Sequence, residues 1–272
     1  MPAITLSSDI GQIDFITGAI KGQLIGAVPG CIPVDISHQL SPVNHQQNAY
    51  ICKNAYAHFP KGSFHLILIN FFEKVPSHVL FTELNQQYII CPDNGLITMI
   101  AGGRPASVYA ISTNTNGKGT LLACTHAIAQ AIQHVHSGGA IQDIASIAMQ
   151  IEEKYPMRSS VGPDWVDSQI IFIDNFENVV LNITKTEFEE IRRNRGFRIE
   201  LMHKKDYIDT ISDNYSTVPP GESMAWFNSA NYLEIAINKG NVAGFFGLKD
   251  FSKDATISQN RLSYQSIRIY FY

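Results

Sequence analysis

At 272 residues and 45% hydrophobic content, the chain is long enough for one large or two ordinary globular domains with proper cores. Its 20 Lys plus Arg against 24 Asp plus Glu give a formal charge of −4, which supplies neither a basic field for nucleic acid nor a polybasic membrane patch. No run approaches the roughly 18 apolar residues of a membrane span and no basic leader precedes an apolar one, so the expected setting is cytoplasmic and the expected partner a small molecule.

Ile4-Thr5-Leu6-Ser7-Ser8 reads as a buried strand running into Asp9 and Gly11, after which Ile13, Ile16, Ile20 and Leu24 recur at helical spacing. Asp9 therefore stands at the carboxyl end of a strand, where open α/β sheets leave a crevice for ligands; it either holds a ribose diol or forms the turn. Ile32 to Ile36 is a second strand with Asp35 and His38 near its end, and Asn44 to Ala57 a helix. Phe64 to Ile69 is continuously apolar up to Asn70, the pattern of a strand covered on both faces. Three such units predict a parallel sheet with helices on its faces.

The pattern lapses from Phe71 to His78. Val79 to Glu83 and Tyr88 to Cys91 then read as a hairpin around Asn85 and Gln86, followed by the turn Pro92-Asp93-Asn94-Gly95. A strand from Ala106 to Ile111 and a polar loop from Thr113 to Gly117 precede a helix from about Thr120 to His136, ended by Gly138 and Gly139. His134 and His136 face different ways on that helix, and Cys31, Cys52, Cys91 and Cys124 lack C-x-x-C spacing, so no metal site and four free thiols are expected.

Pro156, Ser159, Ser160, Gly162 and Pro163 mark a boundary, predicting an α/β domain over 1–158 and a smaller β-rich domain over 165–272. The second holds strands at Gln169 to Ile173, Val179 to Ile183, Phe197 to Met202, Met224 to Asn228, Tyr232 to Ile237 and Ser263 to Phe271. One helix interrupts them, with Thr186 and Glu189 as its capping box and Gly196 as its stop.

Two stretches of this domain carry chemistry. Asp174-Asn175-Phe176-Glu177-Asn178 sets an acid, a ring and an amide at a turn, suiting an ammonium group, a purine face and a purine edge, or else forming a plain hairpin. Polar Asn228 and Ser229 lie between Trp226, Phe227 and Tyr232, rings that serve either the core or a ligand cage.

In order, Ser8-Asp9-Ile10-Gly11, Val34-Asp35-Ile36-Ser37-His38, Pro92-Asp93-Asn94-Gly95, Asp174 to Asn178 and Asn228-Ser229 through Leu233-Glu234-Ile235-Ala236 resemble the successive motifs of the S-adenosyl-L-methionine hydroxide adenosyltransferases, relatives of the fluorinase and chlorinase enzymes. The resemblance runs from residue 4 to about residue 248. It implies an α/β N-terminal domain, a β-barrel-like C-terminal domain, and homotrimers with sites between subunits. By the same resemblance Asp9 would hold the ribose hydroxyls, Asp174 and Ser229 the methionine end and Asn178 the adenine edge. Phe176 and Tyr232 would line the pocket, and Asn228 belongs to the same set. The implied reaction is displacement of methionine from the ribose 5′ carbon by water or hydroxide, with S-adenosyl-L-methionine as the substrate and no metal or cofactor.

The family's Asp-Pro-Gly-Val-Gly stretch, with its nearby Arg, is here Asn70-Phe71-Phe72-Glu73-Lys74. Its later His-Gly-Arg-Asp motif is unmatched, Ala123 standing at the His in an ungapped alignment. The Asp, Arg and His that prepare the attacking water in the family are thus absent, and Asn70, which cannot act as a base, is left to orient water, with Lys74 as a stand-in charge. His126 reads as a structural histidine of an apolar helix. Two readings remain, a hydrolase with altered water activation and a catalytically inactive S-adenosylmethionine- or adenosine-binding protein of the same fold.

Overall fold

A computed structural model describes residues 1–71, 73, 75–113, 119–201, 207–245 and 265–272 of the chain. Phe72, Lys74, the loop 114–117, Met202 and the first two residues of the last expected strand, 263–264, lie outside the described residues. The chain divides into two compact units, Met1–Pro156 and Met157–Tyr272.

The first unit runs β1 (Ala3–Ser8), α1 (Ile16–Ala27), β2 (Ile32–Ser37), α2 (His45–Tyr56), β3 (Phe64–Leu68), β4 (His78–Leu84), β5 (Gln87–Cys91), α3 (Leu96–Ala101), β6 (Val108–Ser112), α4 (Leu121–His136) and β7 (Ala145–Ile147). Among the described residues these strands form one sheet in the order β2-β1-β3-β5-β4-β6-β7. The pairs among β2, β1, β3 and β5 are parallel, and the remaining pairs are antiparallel. The parallel units and the hairpin around Asn85 and Gln86 both appear as the sequence predicts, and together they make the sheet a mixed one. The cause is local: Asn85 and Gln86 both take positive φ, 52° and 63°, the two-residue turn that folds β4 back on β5.

Alternation along β3 builds two cores. Phe64, Leu66 and Leu68 face α1 and α4 through Ile20, Leu24, Ile128 and Ile132. Ile67 and Ile69 face α2 and α3 through Cys52, Ile97 and Ile100. Each such side chain, fully withdrawn from water, contributes about 1.5–3 kcal/mol. Ile13 does not join this core, being 91% exposed; α1 starts at Ile16, whose N–H donates to Asp14 Oδ1 at 2.9 Å. The six-residue α3 was not expected, because one and a half turns hold too few apolar repeats to set a period.

The second unit comprises β8 (Ser160–Val161), β9 (Trp165–Ile173), β10 (Val179–Thr184), α5 (Lys185–Arg192), β11 (Phe197–Glu200), β12 (Tyr207–Ile208), β13 (Ser223–Phe227), β14 (Tyr232–Ile237), α6 (Val242–Phe245) and β15 (Ser266–Phe271). Its antiparallel sheet has the order β12-β11-β15-β9-β10-β14-β13, with β8 beside β9. The two outer strands meet: Ile211 bridges Ala225 of β13, and the Ser212 N–H donates to Ala225 O at 2.7 Å. The sheet thus curls into a nearly closed barrel around Val166, Leu181, Ile199, Leu233, Ile235 and Ile269, with Phe188 of α5 in the same core.

The capping box of α5 is Thr184 with Glu187, two residues before the expected Thr186 and Glu189. Strand β10 stays extended through Thr184, which leaves Thr186 inside the helix. The stop is Arg193 at φ 52°, ahead of Gly196. Among the described residues no helix is long and apolar enough to cross a membrane. The four cysteines are free, three of them buried and Cys31 half-buried.

Candidate functional site

In the first unit, the parallel strands deliver their carboxyl ends to one edge of the sheet. The Asp9 N–H donates to Leu68 O at 3.3 Å, and Asp9 Oδ2 accepts from the Asn70 N–H at 2.8 Å, so the acid after β1 is tied to the turn after β3. Asn70 takes φ 61°, a conformation asparagine tolerates, and its Nδ2 donates to Pro42 O at 2.8 Å. Beneath them Ser8 Oγ lies 2.7 Å from His38 Nδ1, and His38 Nε2 lies 3.1 Å from Asp35 Oδ1. The Gly11 N–H, at φ 78°, donates to His38 O at 2.7 Å and closes the loop. Burial holds the Asp9 carboxyl above its ordinary range, outweighing the backbone N–H bonds that favour its charge.

Beside Asn70 opens a depression of about 450 Å³ whose lining includes Asn70, Glu73, His78, Asp93 and Asn94. His78 Nε2 lies 3.7 Å from Asp93 Oδ2, while Asp93 Oδ1 accepts the Glu152 N–H at 2.7 Å. The turn that carries Asp93 needs Gly95: its φ is 86°, and a Cβ there would meet the Lys154 side chain at 2.5 Å.

In the second unit, the turn between β9 and β10 is built on Asp174. Its Oδ1 accepts the N–H groups of Phe176 and Asn178, both at 2.8 Å, and its Oδ2 accepts Asn178 Nδ2 at 2.9 Å. Phe176, 74% exposed, stands at the tip. Glu177 takes φ 62° at the position where the resembling family has Gly. Replacing Glu177 by Gly is therefore expected to raise stability by roughly 0.5–1 kcal/mol, the left-handed cost of a Cβ less the extra chain entropy of glycine. Urea denaturation of the two proteins checks this.

Sequence reasoning missed the hub of this unit, Glu234. The residue is only 4% exposed. Oε1 accepts Trp226 Nε1 at 3.0 Å and Asn178 Nδ2 at 3.2 Å, and Oε2 accepts Asn228 Nδ2 at 3.0 Å. Asn178 Nδ2 also reaches Tyr215 Oη at 2.5 Å, and burial pushes that phenol up to about 12. For Glu234 itself burial is the largest influence and raises its pKa against the three donors, the neighbouring Asp174 charge adding to the rise. The signal was present in Leu233-Glu234-Ile235-Ala236, an acid inside an otherwise apolar strand, which must find partners if the strand is covered on both faces.

Glu234 thus brings Asp174, Asn178 and Asn228 into one network. Asn228 Oδ1 in turn accepts the N–H groups of Ala230 and Tyr232 at 3.0 and 3.1 Å, shaping the turn between β13 and β14. Ser229 is exposed on that turn and Tyr232 half-buried after it. His126 and Ala123 lie on the exposed face of α4. Among the described residues no cluster of three or more His, Cys, Asp or Glu side chains is arranged to hold a metal.

The family described as SAM hydroxide adenosyltransferase N-terminal domain matches residues 4–145, and its C-terminal domain counterpart matches residues 168–253. A Thermus thermophilus protein named (R)-S-adenosyl-L-methionine hydrolase is 22% identical, over 92% of this chain and 97% of its own. One of the same name from Methanocaldococcus jannaschii is 26% identical, over 86% and 87%. The crystal structure of an uncharacterized conserved protein from Thermotoga maritima superposes with a TM-score of 0.80 at 20% identity, covering 98% of this chain and 99% of the other. That of a conserved hypothetical protein from Thermus thermophilus gives 0.71 at 21% identity over the whole of both chains.

Proposed function

The chain belongs to the SAM hydroxide adenosyltransferase family, and from that premise we propose that it cleaves S-adenosyl-L-methionine with water to adenosine and L-methionine. The observation that carries this reading is the Asp9–Asn70 pair, a half-buried carboxylate steered by a backbone N–H at the carboxyl ends of parallel strands, with an open depression beside it.

In this reading Asp9 accepts the ribose hydroxyls. Asp174 and Ser229 take the charged methionine end, Phe176 and Tyr232 enclose the nucleoside, and Asn228 fixes the turn that presents Ser229. With its Nδ2 committed to Asp174, Tyr215 and Glu234, Asn178 offers its amide oxygen to the adenine amino group. Sulfonium is already a good leaving group. What the protein supplies is alignment of water behind the 5′ carbon, worth several kcal/mol of barrier, and exclusion of bulk solvent. Asn70 orients that water. The reading includes no metal or added cofactor, a cytoplasmic setting, and a homotrimer in which each site is shared between subunits.

One observation favours a second reading, a binding protein without chemistry. The residue in the acid's place is an amide, and its Nδ2 is tied to Pro42 O. Long incubation of the purified protein with S-adenosylmethionine, with chromatography and mass detection against a protein-free control, separates the two. Protein-dependent adenosine and methionine support hydrolysis; intact S-adenosylmethionine supports binding alone. In the hydrolase case Asn70→Asp is expected to raise turnover on the order of tenfold or more, because it restores a proton acceptor next to the water.

A further inference from the structure

We propose that His78, backed by Asp93, is the general base of this chain, the imidazole taking over water activation from the acid that Asn70 has replaced. The proposal rests on the hydrolase reading above and names the group that performs its proton transfer.

The topology of the sheet brings these residues together. Strands β3 and β5 run parallel, so the turn carrying Asn70 and the turn carrying Asp93 leave the same edge. Strand β4 runs against β5, with Leu80 opposite Cys91. Two residues further along that register, the start of β4 places His78 across from Asp93, at the edge where the parallel strands end. The side-chain geometry agrees: His78 Nε2 is 3.7 Å from Asp93 Oδ2, and both side chains line the depression that Asn70 also lines.

Each member is suited to its part. Asp93 is fixed by the Glu152 N–H on its other oxygen, so it is a steady orienting partner. His78 is half-exposed at the depression, with Ser77 Oγ 3.4 Å from its Nδ1. The 3.7 Å separation is looser than a hydrogen bond, as base–orienter pairs often are before the substrate closes the site. Asn70 joins the depression to Asp9 through its N–H. In the proposal a ribose held at Asp9 presents its 5′ carbon toward water in the depression that Asn70 and His78 line.

The step balances. Water oxygen forms a bond to the 5′ carbon as the carbon–sulfur bond breaks, and that bonding pair leaves with sulfur as the neutral thioether of methionine. The proton from water passes to the His78 imidazole and is later released to solvent. Asp93 orients and stabilises the imidazolium, the role of the acid in an acid–His base pair.

The test compares the full-length wild-type protein with His78→Ala, His78→Gln and Asp93→Asn, measuring adenosine formation from S-adenosylmethionine and adenosine affinity by calorimetry. Expected are a loss of kcat on the order of 100-fold or more in both His78 variants and a smaller loss in Asp93→Asn. KM and adenosine affinity should be unchanged, and added imidazole should restore part of the His78→Ala rate, which a purely structural role would not allow. If His78→Gln keeps wild-type turnover, or imidazole rescues nothing while His78→Ala stays folded by circular dichroism, the base assignment is overturned and the hydrolase reading stands. If the wild-type protein forms no adenosine, the hydrolase reading fails and this assignment fails with it.

Discussion

Asp9→Ala is expected to weaken adenosine binding by roughly 1.5–3 kcal/mol, the worth of hydrogen bonds to a charged acceptor in a half-buried site. Its effect on stability should be far smaller. Burial raises the Asp9 pKa, which means that the folded state disfavours the ionised form relative to the unfolded chain. Removing the carboxyl relieves that cost and at the same time leaves the Asn70 N–H without its acceptor, and the two effects oppose. A calorimetric titration paired with a thermal melt gives both numbers, and an unchanged affinity would count against the ribose assignment. The pH dependence of binding has a definite sign: a protonated Asp9 accepts poorly from a diol, so affinity should fall on acidification through the raised pKa, above the ordinary 3.8. Stability moves the opposite way, the Asp9 contribution being largest below 3.8 and lost as pH rises through the folded value.

Glu234→Ala should cost roughly 1–3 kcal/mol of folding free energy in the second unit, the usual consequence of removing the acceptor from a buried donor. Trp226 Nε1 loses its acceptor, and Asn178 Nδ2 and Asn228 Nδ2 each lose one bond. Relief of the buried charge offsets only part of this, since the alanine leaves both a void and unpaired polar atoms. Glu234→Gln keeps the shape and should cost less. It also isolates the titration: with the folded pKa above the ordinary 4.5, wild-type stability should rise as pH falls from that folded value toward 4.5, and the glutamine variant should lack this rise. Urea denaturation at neutral pH and at steps down to pH about 4.5 measures both effects.

Much of the fold was legible because burial writes a pattern. Phe64 to Ile69 reads as a doubly covered strand, and each residue goes to the core its parity dictates. Legibility failed where two local choices were equal in sequence. Thr184-x-x-Glu187 and Thr186-x-x-Glu189 satisfy the same capping rule, and only the pairing of β10 with its neighbours decides between them. Ile13 fits the helical period of α1, yet the helix starts only at Ile16, whose N–H donates to Asp14, and the isoleucine stays in water. In the candidate site, Asp9, Asp174, Asn178 and Asn228 could be singled out because polar groups at strand ends and turns stand out from apolar runs. Glu234 carried a weaker signal, since a lone acid between Leu233 and Ile235 also fits the outward face of a strand until Trp226 and Asn178 are seen on that face. The His78–Asp93 pair was hidden for another reason: 15 positions apart, they meet only through the register of β4 on β5.

The barrel of the second unit has a seam. Between β12 and β13, among the described residues, closure rests on the Ile211–Ala225 bridge and the Ser212 N–H, where β9 with β15 and β13 with β14 share long ladders. Parting there sacrifices little backbone pairing, which favours local opening at this seam. Ala225 adjoins Trp226, and Tyr215 lies in the segment between Ser212 and β13. The hydrogen bond from Asn178 Nδ2 to Tyr215 Oη and the edge-on contact of the Tyr215 and Trp226 rings therefore tie the segment before β13 to the barrel beside its seam.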